Sequence, residues 1–252
     1  MRQRWSRIVW AHWAVEPDAV AALLPPDLSP DTFNDSAWIG LVPFQMSDLR
    51  LPGALAPLTS ALGVTTFGEV NVRTYVRGPD GRTGVWFVTL DADRRLAVAA
   101  ARLAFGLPYR QATTRFVATS EGGSERLEWT SARRRDGARA ELAVAPEPRP
   151  PRVAAPGLEH FLVERYVLYS QWHGRLLRGS LSHAPWRVRG AALLDVHAGT
   201  LTADGIHVEG TPHVLVGESV EVEVHTFSRL RLTRTDEAGF AAAGQGPVEV
   251  RE

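Results

Sequence analysis

Polar side chains recur at every second position of "FGEVNVRTYV", residues 67–76. Glu69, Asn71, Arg73 and Tyr75 alternate with Gly68, Val70, Val72, Thr74 and Val76, the pattern of a β-strand with two unlike faces. Same-face neighbours lie about 6.6 Å apart, so Glu69 and Arg73 are separated by about 13 Å along the strand. That is too far for a direct ion pair and suits two groups flanking one small ligand. Arg73 can hold a carboxylate or an enolate oxygen through two hydrogen bonds. Glu69, if desolvated, would have a raised pKa and could shuttle a proton. The competing reading is a solvated sheet face over a valine core.

Three further segments supply candidate groups. "LPY" carries Tyr109, "LSHAPW" carries His183 and Trp186, and "QWHG" places His173 beside Trp172. An imidazole titrates near neutral pH, and His183 is the favoured acid or base. Glu69 and His183 are therefore the catalytic candidates, with Asn71, Arg73, Tyr75, Tyr109 and Trp186 as substrate-binding candidates. His207 and His213 have no companion carboxylate at suggestive spacing, so no metal site is expected. "SARRRDGARA" (131–140) reads as a solvated hairpin tip around Asp136-Gly137. The sequence has no G-x-S-x-G, H-E-x-x-H, Walker or G-x-G-x-x-G motif.

Composition narrows the chemistry further. The 28 basic side chains are all Arg, which removes a Schiff-base lysine and a lysine general base. Zero cysteines remove disulfides, Cys-ligated metals and thiol nucleophiles. A formal net charge of zero argues against a generic nucleic-acid binder. No apolar run approaches a membrane span, and the start, interrupted by His12 and Glu16-Pro17, does not read as a secretory signal. A cytoplasmic protein binding a small molecule, with no cofactor, no membrane partner and room for self-association, is the expectation.

These residues need a sheet to position them. Strands are predicted over 5–15, 37–51, 67–77, 85–92, 111–119, 125–133 and 139–145, with 67–91 forming a hairpin. More follow in "FLVERYVLYSQ", "LLRGSLSH", "WRVRGAALLDVH", "GIHVEG" and "VEVEVHTFSRLRL". Pro43 places the centre of its strand at an edge or bulge. Short helices are predicted over 17–24 and 94–105, with one helical turn near 58–62. Five prolines in 145–156 mark an extended connector, taken as a surface excursion within one domain spanning 1–252. The fold class is α+β, sheet-dominated.

The order "AHWAVEPDAVAALLPP", "DTFNDSAWIGLVPFQM", "FGEVNVRTYV", "GVWFVTLDA", "ARLAFGLPY", "FLVERYVLY" and "HAPW" resembles the YqjF-like family of bacterial proteins (domain of unknown function 2071). That family is similar to the acetoacetate decarboxylase-like superfold. The resemblance implies an antiparallel β-barrel or cone around a small-molecule cavity, with a few short outer helices. It turns the 69–75 face inward. The superfold's familiar chemistry uses a buried lysine, which this chain lacks. What is implied is a cofactor-free isomerase, cyclase, dehydratase or imine-free decarboxylase acting on a carbonyl or carboxylate compound. The alternative is a non-catalytic protein that binds or senses a small, partly apolar acid.

Overall fold

The stretch around Glu69 forms a strand with both faces buried: of residues 66–77, only the two ends are exposed. A computed structural model describes residues 1–50, 66–94, 106–225 and 227–230. Its strands are β1 (Arg2–Ser6), β2 (Val9–Val15), β3 (Ser29–Pro30), β4 (Ala37–Arg50), β5 (Thr66–Arg77), β6 (Thr83–Ala92), β7 (Tyr109–Glu121) and β8 (Ser124–Arg133). They continue as β9 (Arg139–Pro146), β10 (Arg152–Val153), β11 (Val167–Trp172), β12 (Arg175–His183), β13 (Arg187–Ala198), β14 (His213–Gly217), β15 (Val220–Val224) and β16 (Ser228–Arg229). Three short helices accompany them: α1 (Pro17–Ala21), α2 (Leu158–Val163) and α3 (Gly199–Ala203).

The strand pairings close on themselves in two circuits that share β4, β5 and β6. One runs through β1, β15, β12 and β11; the other runs through β7, β8, β9, β13, β14 and β2. β5 therefore has an interior on each side. Val70 and Val72 join a cluster with Val9, Ala11, Trp13, Ile39, Leu41, Trp129 and Leu142. Phe67 and Tyr75 join a second cluster with Ile8, Trp10, Val42, Phe44, Leu162 and Trp186. Each large apolar side chain so buried contributes roughly 1.5–3 kcal/mol. The polar face of β5 thus looks into the second interior and not at water.

The 67–91 hairpin forms as predicted, as β5 and β6. The sheet itself is mixed, not purely antiparallel, because β6 pairs in parallel with β7 and with β11. Parallel neighbours need crossovers, and both partners are reached only after intervening chain. The predicted first strand breaks at Arg7, whose φ is 56°. The two pieces pair with separate lengths of β4, β2 with Ala37–Leu41 and β1 with Gln45–Arg50. Pro43 falls in the gap between them, where an unpaired edge tolerates a missing N–H.

Two segments differ from the sequence expectation. Phe161–Val163 ends α2 instead of opening a strand; Leu158, Phe161 and Leu162 have the i, i+3, i+4 spacing that packs one helical face on the second cluster. "GIHVEG" forms no strand; it follows α3, which the periodicity does not announce. α1 is shorter than predicted, and buries Val20. The helix expected over 94–105 and the turn near 58–62 lie outside the described residues, apart from Arg94. No helix among the described residues is long and apolar enough to cross a membrane.

Candidate functional site

Glu69 sits on β5 with 2% of its surface exposed. The Tyr109 hydroxyl, at the start of β7, donates to Glu69 Oε2 at 2.9 Å. Desolvation pushes the Glu69 carboxyl up to about 8, against hydrogen bonds from Tyr109 and Asn71 that favour its charged form; nearby Asp91 pushes it up further. At neutral pH this carboxyl is mostly protonated. Burial and the adjacent carboxyl together hold the Tyr109 phenol well above its ordinary value. Asn71 Oδ1 has no partner among the described residues.

Four positions along the strand, Arg73 makes a different set of contacts. Its Nη2 donates to the Leu162 carbonyl at 2.9 Å and to the Tyr75 hydroxyl at 3.2 Å. The Tyr75 hydroxyl lies 2.5 Å from the same carbonyl and 2.7 Å from His12 Nε2. A carbonyl only accepts, so the Tyr75 proton points to Leu162. His12 must then carry its proton on Nε2 and donate to Tyr75. Burial, with Arg73 behind it, holds the His12 pKa well below the ordinary imidazole value, so the ring is neutral.

Gly40 makes room for this histidine: a Cβ there would stand 2.6 Å from His12 Nε2. Gly40→Ala is therefore expected to cost about 2 kcal/mol of stability through overpacking. Urea denaturation at constant pH checks this; a change below 0.5 kcal/mol would mean that the imidazole moves aside freely.

Arg73 also lines a cavity. The other walls include Trp5, Trp10, Phe87, Arg165, His183 and Trp186. The cavity's volume is about 30 Å³. Arg165 donates to Asp31 at 2.8 Å, and Asp31 is shared with Arg77 at 3.0 Å. The Arg165 guanidinium also lies over the Phe161 and Tyr75 rings, 4.1 and 4.7 Å from their centroids. Arg73 has no such acid: among the described residues it forms no ion pair, and its recorded donations go to two neutral oxygens. His183, partly exposed, donates from Nδ1 to the Ala184 carbonyl at 2.7 Å and stacks on Tyr166 at 4.6 Å.

The predicted residues thus divide into groups. Arg73, His183 and Trp186 come together on one cavity, with Tyr75 bonded behind Arg73. Glu69, Asn71 and Tyr109 form a second polar group and are not among that cavity's walls. His173 and Trp172 lie at the β11–β12 turn, outside the cavity lining. His213 sits directly across from His12 on β14. No group of three potential metal ligands occurs among the described residues.

Sequence reasoning missed Arg165, Asp31 and His12. His12 carries a signal, a polar residue inside "VWAHWAV" where both strand faces are otherwise apolar. Arg165 and Asp31 carry none, because only the fold joins them. The reading of 131–140 as a solvated tip holds for Arg134 and Arg135 and fails for Arg133, which is 3% exposed. Arg133 Nε donates to both Asp91 oxygens, and its Nη atoms reach Asp204 and Thr89.

Comparison with known proteins places these features. The family model DUF2071, described as an uncharacterized conserved protein, matches residues 2–221. YqjF of Bacillus subtilis (strain 168) is 36% identical over 214 residues, 82% of each chain. Among solved structures, the enduracididine biosynthesis enzyme MppR complexed with pyruvate superposes with a TM-score of 0.63 at 18% identity, covering 90% of this chain and 89% of that one. An acetoacetate decarboxylase-like enzyme from Sphingomonas wittichii RW1 gives 0.62 at 13% identity, covering 91% and 92%. At such identities the likeness is one of fold. This chain, with its sheet-dominated acetoacetate decarboxylase-like fold, belongs to the DUF2071 family.

Proposed function

We propose that this protein holds a small carboxylate bearing a carbonyl group and acts on it as an enzyme without a cofactor. One observation carries the reading: a guanidinium buried to 8% exposure, with no ionic partner among the described residues, lines a small aromatic-walled cavity. A buried cation is costly without a counter-charge. A ligand carboxylate on Arg73 would supply it. The enduracididine biosynthesis enzyme MppR, which shares the fold, is complexed with pyruvate, a compound of this class. The chain has no lysine, so an imine to a lysine of this chain is not the route.

Proton transfer falls to Glu69, whose carboxyl, with a pKa near 8, can both give and take a proton close to neutrality. Arg73 would stabilise the oxyanion that develops as the proton leaves the carbon beside the carbonyl. His183 is the second candidate for acid–base work, on the cavity wall itself.

One observation favours a second reading. Glu69 is not among the walls of the cavity that Arg73 lines. A protein that binds the acid without transforming it needs Arg73 and the indole wall alone.

Incubation with pyruvate in D2O separates the two. An enzyme of the proposed kind speeds loss of the pyruvate methyl signal in proton NMR well beyond the buffer rate. Saturable binding with no exchange supports the second reading, and neither binding nor exchange contradicts both.

A further inference from the structure

Glu69 is held from outside its own strand. Tyr109 opens β7, which runs parallel to β6, and Leu90 of β6 pairs with Asn71 on one side and with Tyr109 on the other. The phenol therefore starts two strands from β5 and reaches diagonally back to Glu69 Oε2, at 2.9 Å. Ala92, the β6 residue that faces Glu69 in register, is fully buried and carries only a methyl group, so the phenol can cross. The backbone there is pinned. The Tyr109 N–H donates to the Leu107 carbonyl at 2.8 Å, and the Leu90 N–H to the Pro108 carbonyl at 3.2 Å.

The Tyr109 hydroxyl has one recorded partner among the described residues, the Glu69 carboxyl. A phenol that turned its proton away would find no other recorded acceptor. Burial and the carboxyl together keep it protonated well beyond neutral pH. The hydroxyl thus donates to Oε2 whether the carboxyl is ionised or neutral. In the neutral form the carbonyl oxygen is the stronger acceptor, so Oε2 takes that role and the acid proton sits on Oε1.

We propose that Tyr109 is a positioning residue for proton transfer: by engaging Oε2 it fixes the plane of the Glu69 carboxyl and leaves Oε1 as the oxygen that takes and returns the substrate proton. This role rests on the reading of the protein as an enzyme that uses Glu69. In the step concerned, a C–H bond beside the ketone breaks, its proton bonds to Oε1 and its electron pair moves onto the ketone oxygen. Exchange of that proton with D2O and reversal of the step place deuterium on the carbon. Tyr109 is not among the walls of the cavity that Arg73 lines, so it serves the Glu69 carboxyl and not the ligand's carboxylate. Two other groups act on Glu69: Asn71 of β5 donates a hydrogen bond to it, and Asp91 of β6 repels its charge. Phe44, opposite Glu69 on β4, is uncharged.

The test follows pyruvate deuteration by proton NMR from about pH 6 to 10, above the buffer rate, in the parent chain, Tyr109→Phe and Tyr169→Phe. Phenylalanine keeps the ring and removes the hydroxyl. Tyr169 is a buried tyrosine of another cluster whose hydroxyl donates to the Arg82 carbonyl at 2.9 Å, so its variant is the control. A hydrogen bond to a charged group is strong enough to hold a carboxyl pKa down by about one unit. The parent rate should climb through a midpoint near 8 as Glu69 ionises. In Tyr109→Phe that midpoint should lie about one unit higher, with a roughly tenfold lower rate at neutral pH and an unchanged KM for pyruvate. Tyr169→Phe should match the parent in all three. The position of the midpoint does not depend on how much of a variant folds. A parent-like midpoint in Tyr109→Phe, or the same displacement in Tyr169→Phe, would overturn the inference and leave Glu69 as the proton carrier. A parent chain that exchanges no deuterium sinks the enzyme reading, and this inference with it.

Discussion

Glu69→Gln is expected to remove most turnover and to flatten a large pH dependence of stability. If Glu69 carries the proton, its loss should lower the exchange rate by about 10²–10⁴. The stability effect follows from linkage. The carboxyl pKa is raised from 4.5 to about 8 by burial, so the folded state favours the protonated form. A group raised in this way contributes stability that is fully present below its unfolded pKa and is lost as pH rises through the folded one. The parent chain should therefore lose stability between about pH 4.5 and 8, by an amount on the order of 4 kcal/mol. Glutamine cannot ionise, so the variant lacks this component and should gain on the parent as pH rises. A smaller fall between about pH 4 and 6 should persist in the variant, because burial also lifts Asp91 to about 6. Urea midpoints at pH 5 and pH 9 measure the difference. A parent chain equally stable at both would mean that Glu69 is hydrated.

Arg133→Met carries the other large expectation, this time on the fold. Arg133 binds Asp91 at 2.8 Å and Asp204 at 2.7 Å, and all three side chains are about 98–99% buried. Arg110 also reaches Asp204, at 3.2 Å. Replacing a whole buried ion network by apolar groups is often harmless, but removing one partner strands the others. Methionine would leave two buried carboxylates with Arg110 as the remaining cation paired to either among the described residues. A loss of about 3–5 kcal/mol is expected, a large share of the 5–15 kcal/mol typical of a domain. The network also ties the end of α3 to β6, the strand beside β5, so local exchange protection near Thr89 and Asp91 should fall with it. Adding Asp91→Asn to Arg133→Met should recover part of the loss. A single variant within 1 kcal/mol of the parent would show that the network is hydrated.

Much of the positioning of the site can be read from local pattern. The alternation at 67–76 specifies a strand, and the Pro-Asp-Gly turn specifies its hairpin partner, because both signals act over a few residues. The burial of both faces of β5 cannot be read this way. A polar face and an apolar face look the same whether the polar one meets water or a second interior, and only the shared position of β5 in two strand circuits decides it. Arg133 was misjudged for the same reason: its partners Asp91 and Asp204 come from elsewhere in the chain. The helix ending at Val163 was hidden because "FLVERYVLY" is rich in β-formers, and packing against Trp186 and Tyr75 outweighs that weak preference. Glu69 and Arg73 were paired in the sequence by spacing alone. Their side chains then turn to different partners, Tyr109 for one and Leu162 with Tyr75 for the other.

The central claim is that Arg73 is kept charged and buried for a ligand rather than for the fold. Isothermal titration of pyruvate into the parent chain and into Arg73→Met, with a thermal melt of each apo protein, tests it directly. The account predicts saturable binding in the parent, affinity at least 100-fold weaker in the variant, and a variant melting at or above the parent temperature. Equal affinities in the two, or a variant that binds nothing because it no longer folds, would contradict it.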